Sequence, residues 1–273
     1  MPGFESGATQ RAASNASFPA GKGISVATAL AGLGEAGRTT AVVLCGQDTA
    51  PQYRELLGTL GVAAAITAAP VRTRRHVTIS DPSAQRGGVT HVQVQGVEHP
   101  GSLFTADGDE DTDGGGGGGG LVAGIRGLVG LGAIVALSGS LPKGAPADLY
   151  ATLTRQLQAQ GGRALLDTSG PALHAGLGAS PFAVKANRGE AESVAGHKLP
   201  DLPSQLAAAR AIRAEHGVGW VILSDGAAGA LLVGESGAHH ASLSLPPGTA
   251  IETDQGCVRP SIASTSSPSL PCR

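Results

Sequence analysis

The fold is decided by the stretch from Ile134 to Glu190, where three short apolar runs each end in a group of polar residues. The sequence there reads Ile134-Val-Ala-Leu137 before Ser138-Gly-Ser-Leu-Pro142, Arg163-Ala-Leu-Leu166 before Asp167-Thr-Ser-Gly170, and Phe182-Ala-Val184 before Lys185-Ala-Asn-Arg-Gly-Glu190. Runs of this length bounded by turn residues are typical of buried strands. The sequence therefore predicts three strands, each followed by polar side chains.

A helix is predicted between the first two runs. Leu149, Leu153 and Leu157 recur at helical spacing, and Gly161-Gly162 supplies the stop signal. Strand, helix and strand in this order are typical of right-handed βαβ units in a parallel sheet. Ligands bind at the carboxyl ends of such strands. We therefore predict an α/β fold with a mostly parallel central sheet flanked by helices, and a site where the three polar groups converge.

Upstream, Gly21-Lys-Gly23 opens a predicted helix over Ile24–Leu33. The Gly-Lys pair suggests a phosphate-binding P-loop, but the pattern G-x-x-x-x-G-K-[ST] fails because Gly23 follows Lys22. Two interpretations stay open. The glycines form only a tight entry into the helix, or the helix amides and Lys22 face an anionic ligand. A buried strand over Thr40–Leu44 and a helix over Tyr53–Leu60 come next.

Two segments then interrupt the α/β order. Residues 72–79 and 89–95 both alternate polar and apolar side chains with a period of two, and the residues between them are typical of a turn. This pattern predicts an inserted β-hairpin, which we call the lid segment (residues 72–96). An inserted hairpin beside a strand-end site acts either as a lid over the ligand or as a surface flap.

The remaining chain contains a helix, a strand pair and two irregular stretches. We predict a helix over Ser204–His216, a strand over Trp220–Leu223 that ends in Ser224-Asp-Gly-Ala-Ala-Gly229, and a strand over Ala230–Val233 that turns back into Ala241–Leu245. Residues 106–120 are acidic and then glycine only, which is typical of a flexible tether. Residues 254–273 have no periodicity, and we expect no helix there. One domain over residues 1–273 accommodates all of these elements.

Composition excludes several functions. The net charge of -2 and the aromatic content of 3% give no basis for binding nucleic acid or an anionic membrane. Cys45, Cys257 and Cys272 have no metal-ligand spacing, and scattered thiols suit a reducing cytoplasm. The first residues have no apolar core, so we expect no signal peptide. The apolar stretch Leu121–Leu137 is interpreted as a helix followed by a buried strand.

From Gly21 onward the chain resembles the PfkB-type sugar kinases of the ribokinase superfamily, and within them the branch of 1-phosphofructokinases and tagatose-6-phosphate kinases. The resemblance covers about residues 20–245 and depends on six motifs in the family's order. These are Ala20-Gly-Lys-Gly-Ile-Ser-Val-Ala27, the lid motif Thr73-Arg-Arg-His-Val-Thr-Ile79, the three groups that follow the strands of the opening stretch, and the loop Ser224-Asp-Gly-Ala-Ala-Gly-Ala-Leu231.

The resemblance implies ATP-dependent phosphorylation of a sugar phosphate in the cytoplasm, with ATP and Mg²⁺. Phosphoryl transfer needs mainly positioning and charge neutralisation. The resemblance assigns substrate binding to Gly21, Lys22, Gly23, Ser25, Arg74 and Ser138. It assigns nucleotide binding to Lys185, Asn187, Ser224, Gly226 and Gly229. Asn187 and Glu190 would order Mg²⁺ through water, although Glu190 alone is equally a first-turn helix acid.

The sequence departs from the family in three places. The family's first strand, with Asn-Pro-Ala-Leu-Asp, does not precede Phe4, and Ser25 replaces an Asn. The family's Gly-Ala-Gly-Asp, whose Asp is the general base, does not follow Leu245. Asp254 is the remaining candidate for the base, but it lacks the preceding glycines. We therefore expect a kinase truncated at both ends relative to the family.

Three functions follow from these observations. The first is phosphorylation of fructose 1-phosphate to fructose 1,6-bisphosphate, and the second is the same reaction on tagatose 6-phosphate. The third is a catalytically inactive remnant that binds a phosphosugar or nucleotide without turnover. The resemblance also implies a homodimer formed through the lid segment.

Overall fold

The computed structural model describes residues 15, 17–81, 88–93, 99, 101–104, 121–242, 250–254 and 257–261. The strands within these residues are β1 Thr40–Gly46, β2 Ala63–Ala69, β3 His76–Asp81, β4 Gly88–Gln93, β5 Ile134–Ser138, β6 Arg163–Asp167, β7 Ala183–Asn187, β8 Trp220–Ser224, β9 Ala230–Gly234, β10 Gly237–Ala241, β11 Ala250–Asp254 and β12 Cys257–Ser261. The α-helices are α1 Lys22–Gly32, α2 Ala50–Thr59, α3 Leu121–Leu128, α4 Leu149–Ala159, α5 Gly170–Leu177, α6 Arg188–Ala195 and α7 Leu202–His216.

The largest sheet has six strands in the order β10-β9-β8-β7-β6-β5. Strands β5 to β8 are parallel, and β9 and β10 add an antiparallel edge. The predicted α/β class and the mostly parallel sheet are therefore confirmed. The apolar runs of the opening stretch form β5, β6 and β7 side by side, so their polar ends lie along one edge of the sheet.

The predicted helix between the first two runs is α4, and its leucines explain its position. Leu149, Leu153 and Leu157 are buried in the same core cluster as Leu166 of β6. Burying a leucine side chain stabilises the fold by about 1.5–3 kcal/mol. The spacing of four residues places these leucines on one face of the helix, and this face covers the sheet.

A second, smaller sheet consists of β1 and β2, which pair in parallel. It has its own core, which includes Ile24 and Ala27 of α1 and Tyr53 and Leu57 of α2. Helix α1 contacts both β1 and β5, so it connects the two sheets. Its first residue thereby reaches the carboxyl edge of the six-stranded sheet.

The structure differs from the sequence prediction in three elements. The strand that returns along β9 is β10, which begins at Gly237 directly after a tight turn rather than at Ala241. Helix α5 was not predicted, because its eight residues Gly170–Leu177 show few helical repeats. Residues 250–254 and 257–261, where no strand was predicted, form the antiparallel pair β11–β12. Two such short strands carry too few side chains for a periodicity to be recognised.

Two further expectations concern segments outside the main sheet. Strands β3 and β4 form an antiparallel pair within the lid segment, with His76 opposite Gln93. The predicted tether over residues 106–120 lies outside the described residues. Within the residues that the structure does describe, no helix is long and apolar enough to cross a membrane.

Candidate active site

The polar ends of the central strands lie next to each other. Ser138 at the end of β5 is in register with Asp167 at the end of β6, and Asn187 at the end of β7 is in register with Ser224 at the end of β8. This arrangement follows from parallel pairing, which brings all carboxyl ends to one edge. The predicted site residues Ser138, Asn187 and Ser224 therefore share with Asp167 the edge where a ligand is expected.

Two lysines share one carboxylate at this edge. Lys22 Nζ lies 2.9 Å from Asp167 Oδ1, and Lys185 Nζ lies 3.4 Å from the same oxygen. The Asp167 side chain is 14% exposed, whereas those of Lys22 and Lys185 are 42% and 31% exposed. We call these three residues the cationic cluster. Because two ammonium groups face one carboxylate, the cluster has an excess positive charge that attracts anions.

The carbonyls beside the cationic cluster are held by a tyrosine. Tyr150 of α4 donates its hydroxyl proton towards the carbonyl oxygens of Ser138 and Gly139, at 3.2 and 3.1 Å. Burial, and secondly the charge of Asp167, raise the pKa of Tyr150 to about 12. The hydroxyl therefore stays protonated at neutral pH and fixes the turn that follows β5.

Two buried hydroxyl groups near the cluster have no hydrogen-bond partner within the described ranges. They are Ser138 Oγ and Thr168 Oγ1. A buried hydroxyl without a partner is energetically unfavourable, so each of these groups is available to a ligand or an ordered water. Ser138 is the last residue of β5, and Thr168 directly follows Asp167, the last residue of β6.

The start of α1 is open to solvent. Gly21, Lys22 and Gly23 are exposed, and Gly21 caps the helix without a side-chain hydrogen bond. Ser25 Oγ donates to the Gly21 carbonyl oxygen at 3.3 Å, so this hydroxyl braces the first turn. Free amides at a helix N-terminus attract anions. Lys22 and the amides of α1 therefore present positive charge beside Asp167.

Arg74 is exposed in the connection between β2 and β3, and in the described parts of the chain no ion pair joins it to the cationic cluster. Its neighbour Thr73 is fixed to the end of β1, because the Gly46 amide donates to Thr73 Oγ1 at 2.7 Å and the Thr73 hydroxyl also bonds that of Thr49. A Cβ atom at Gly46 would collide with the carbonyl oxygen of Val71. The lid segment is thus anchored at a strand end by a glycine.

Asn187 and Glu190 form a capping box at the start of α6. Asn187 Oδ1 accepts a hydrogen bond from the Glu190 amide at 2.8 Å, and Glu190 Oε2 accepts one from the Asn187 amide at 2.8 Å. This reciprocal pair satisfies two backbone amides that the helix leaves open. The contacts of Glu190 therefore agree with its interpretation as an acid in the first turn of a helix. The cap already uses Asn187 Oδ1 and Glu190 Oε2 as hydrogen-bond acceptors.

The loop after β8 is held by Asp225. Arg188 approaches Asp225 Oδ1 at 3.3 Å, and Gln205 Nε2 donates to Asp225 Oδ2 at 2.8 Å. Gly226 faces open space, whereas a Cβ atom at Gly229 would collide with the carbonyl oxygen of Ala241. The close approach of β10 therefore requires glycine at position 229, and no ligand is needed to explain it.

A cavity of about 230 Å³ lies beside this loop. Its lining includes the start of α7, Leu223, Asp225, Gly229, Leu231 and His240. Apolar and polar side chains both line the cavity, and it is open to solvent and smaller than a typical ligand pocket. It lies at the end of β8, where the resemblance places the nucleotide.

Asp254 is the last residue of β11 and pairs with Cys257 of β12. It therefore ends a strand of an antiparallel pair and does not begin a helix, the position that the family's base motif requires.

Sequence reasoning passed over three residues that organise the site. Asp167 was quoted as part of a strand-end group but was not assigned to the site, although its position at a strand end between Ser138 and Lys185 in the sequence was a usable signal. Tyr150 gave no signal, since the first turn of a helix carries many tyrosines without function. Asp225 was visible beside Ser224, but its partners Arg188 and Gln205 depend on the packing of α6 and α7.

Solved structures with the same fold were found by comparison. Phosphofructokinase-2 from Escherichia coli in complex with substrates and products superposes with a TM-score of 0.76 at 25% sequence identity, over 93% of this chain and 76% of that chain. The same protein in complex with fructose-6-phosphate superposes with a TM-score of 0.75 at 25% identity, over 92% and 76%. The ribokinase-like fold implied by the sequence is thereby confirmed.

Sequence comparison gives the family. The 1-phosphofructokinase of Rhodobacter capsulatus is 37% identical over 256 residues, which are 94% of this chain and 74% of that protein. The 1-phosphofructokinase of Escherichia coli strain K12 is 33% identical over 86% of this chain and 69% of that protein. The family described as "pfkB family carbohydrate kinase" matches residues 124–253. This chain belongs to the pfkB family of carbohydrate kinases, which use ATP as the phosphate donor.

Proposed function

We propose that this chain transfers the γ-phosphoryl group of ATP to the C6 hydroxyl of fructose 1-phosphate. The relatives at 33–37% identity, all named 1-phosphofructokinases, support this substrate. The bond between the γ-phosphorus and the bridging oxygen breaks, and its electron pair stays on ADP. A new bond forms between that phosphorus and the sugar oxygen, and the hydroxyl proton goes to a base or to water.

The observation that supports this function best is the cationic cluster. Lys22 and Lys185 approach the same oxygen of Asp167 from two different elements, Lys22 from α1 and Lys185 from β7. We assign Lys22 to the phosphate of the sugar and Lys185 to the phosphates of the nucleotide. Two phosphorylated ligands would then meet over Asp167, which is the arrangement that phosphoryl transfer between them requires.

On the sugar side, Gly21, Gly23 and the open amides of α1 complete the phosphate site around Lys22. Arg74 would join them when the lid segment closes over the ligand, since a guanidinium pairs well with phosphate oxygens. Ser138 Oγ, buried and without a partner in the described residues, is the proposed hydrogen-bond partner of a sugar hydroxyl. Ser25 supports the first turn of α1.

On the nucleotide side, Ser224 and the loop with Gly226 and Gly229 would hold the nucleotide at the end of β8, beside the cavity. Glu190 Oε1 lies outside the capping box, and Asn187 Oδ1 can accept a second hydrogen bond, so these two oxygens would accept hydrogen bonds from water on a Mg²⁺ ion rather than bind it directly. No group of three or more His, Cys, Asp or Glu side chains that could coordinate a metal was found in the described residues. Mg²⁺, when bound, would neutralise charge on the nucleotide phosphates.

The position of Asp254 favours a second candidate function, which is binding of both ligands without turnover. Loss of a general base typically slows a reaction by about 10²–10⁴-fold. Loss of anion-hole donors slows it by about another 10²–10³-fold. In this case the cationic cluster would still bind the phosphosugar and ATP, but the sugar hydroxyl would lack a proton acceptor.

The two candidates are separated by one assay. ADP release is measured with a coupled enzyme system in the presence of fructose 1-phosphate, tagatose 6-phosphate or fructose 6-phosphate, and ligand binding is measured by thermal shift on the same sample. Turnover that is highest with fructose 1-phosphate and is lost in Lys22→Met supports the first function. Stabilisation by both ligands without ADP release supports the second, and neither turnover nor stabilisation contradicts both.

The lid segment and the thiol of Cys45 bear on the assembly and the compartment. We propose a homodimer through the β3–β4 lid segment, because a two-stranded hairpin has two edges that a second copy can extend. A lid deletion that leaves the molecular mass in light scattering unchanged would contradict it. We place the protein in the cytoplasm, where a buried free thiol such as that of Cys45 stays reduced.

A further inference from the structure

The carboxylate of Asp167 is shared between residues that belong to two different binding sites. Its Oδ1 lies 2.9 Å from the Lys22 ammonium and 3.4 Å from the Lys185 ammonium. We propose that Asp167 is a shared counter-ion that couples binding of the phosphosugar at Lys22 to binding of the nucleotide at Lys185. This inference rests on the proposed function, because that function assigns the two lysines to two ligands.

The position of Asp167 is fixed by the fold. It ends β6, is in register with Ser138 of β5, and follows two residues of β6 that pair with β7. Its side chain is mostly buried, whereas both lysines are partly exposed at the ends of longer, more flexible side chains. The lysine side chains can therefore shift while the carboxylate stays in place. A ligand that attracts one lysine changes the strength of the ion pair between Asp167 and the other lysine.

The sign of the coupling follows from electrostatics. A phosphate at Lys22 attracts that ammonium group away from Asp167, and the carboxylate is then left with Lys185 alone. The Lys185–Asp167 pair becomes stronger because it no longer competes with Lys22. A nucleotide phosphate that needs Lys185 must break this stronger pair, so the phosphosugar weakens nucleotide binding. Thermodynamic linkage requires the nucleotide to weaken phosphosugar binding by the same factor.

The expected size is modest, because partly exposed ion pairs are weak. We expect fructose 1-phosphate at saturation to raise the Kd of a non-hydrolysable ATP analogue about fivefold, at the low end of typical couplings. Asp167→Asn removes the shared carboxylate. In this variant each ligand alone should bind more tightly than in the wild type, since both ammonium groups lose their neutralising neighbour, and the coupling factor should approach one.

The opposite effects on affinity and on turnover distinguish this positioning role from a structural one. A residue that only supported the fold would weaken both ligands when replaced. Asp167→Asn should instead lower both dissociation constants and, if the protein turns over, lower kcat because the lysines are no longer held together. Asp167→Glu keeps the charge and should restore part of the coupling. Glu35→Gln serves as the matched control, since it removes one carboxylate from an exposed pair with Arg38.

The test is isothermal titration calorimetry of the full chain with fructose 1-phosphate and a non-hydrolysable ATP analogue, each alone and each in the presence of the other. A coupling factor that falls in Asp167→Asn but not in Glu35→Gln supports the proposal. Equal factors in the wild type and Asp167→Asn overturn it and leave the proposed function intact. Binding of neither ligand to the wild type overturns both.

A second variant protects the test against misfolding of Asp167→Asn. Lys22→Met leaves Asp167 to Lys185 alone even without a ligand, so the ATP analogue should bind about fivefold more weakly than in the wild type. In a folded double variant with Asp167→Asn this effect should shrink, which is the signature of a direct interaction in a double-mutant cycle. Unchanged nucleotide affinity in Lys22→Met contradicts the proposal.

Discussion

Replacing Glu190 by alanine should lower the melting temperature by about 3–6 °C. The substitution removes the hydrogen bond from the Asn187 amide to Glu190 Oε2, which measures 2.8 Å, and a capping interaction of this kind contributes about 1 kcal/mol. It also removes a negative charge from the first turn of α6, which contributes about 0.5 kcal/mol. A protein of this size loses about 2–4 °C of melting temperature per kcal/mol.

Glu190→Gln distinguishes the capping role of this side chain from its proposed role in holding Mg²⁺. A glutamine carbonyl oxygen still accepts the amide hydrogen bond, so the melting temperature should fall by only about 1–2 °C, the part due to the charge. If Glu190 orders Mg²⁺ through water, the increase in nucleotide affinity that Mg²⁺ produces should be about tenfold smaller in this variant than in the wild type.

The assay is differential scanning calorimetry of both variants, followed by titration of the ATP analogue with and without Mg²⁺. Ser204→Ala is the matched control, because Ser204 completes the second capping box at Asp201 and its loss should lower stability without changing the effect of Mg²⁺. Equal melting temperatures for Glu190→Ala and Glu190→Gln would refute the capping argument. An unchanged effect of Mg²⁺ in Glu190→Gln would refute the proposed metal role.

Three further results are expected. Gly46→Ala should destabilise the fold by about 1–3 kcal/mol, because the new Cβ atom would collide with the carbonyl oxygen of Val71. The same variant should bind the phosphosugar more weakly. An unchanged melting temperature in calorimetry would contradict this expectation. Leu166→Ala should cost about 2–5 kcal/mol in urea unfolding, since Leu166 is 0% exposed, whereas Leu131→Ala at a 92% exposed position should have little effect. For Tyr150 the folded-state pKa of about 12 exceeds the ordinary 10, so its stabilising contribution is complete below pH 10 and is lost as the pH rises towards 12. Tyr150→Phe should therefore show a shallower loss of stability between pH 10 and 12, and an identical slope would count against this assignment.

Much of the fold could be predicted from the sequence because its strands are short apolar runs with polar ends. The runs at residues 134, 163 and 182 gave β5, β6 and β7, and the leucine spacing gave α4. Helix α5 and the β11–β12 pair were missed, since eight and five residues contain too few repeats for a period to be visible. The start of β10 was placed too late because its exposed residues, including His239 and His240, lack an apolar alternation.

The candidate site could be predicted only as a set of residue types at strand ends. Ser138, Lys185, Asn187 and Ser224 were found because parallel strands end at a common edge. Their contacts could not be predicted. Asn187 and Glu190 bind each other's backbone, and the close approach of Ala241 is what requires glycine at position 229. Such contacts depend on how neighbouring elements pack.

The sequence by itself determined the class of fold, the order of the strands in the chain and the family, because these depend on local patterns and on motifs in a fixed order. Only the tertiary structure decided that Lys22 meets Asp167 across 145 residues of chain and that Lys185 joins them on the same oxygen. The physical reason is that a local pattern fixes where a strand ends, whereas the partner of a charged side chain is fixed by which elements pack beside it.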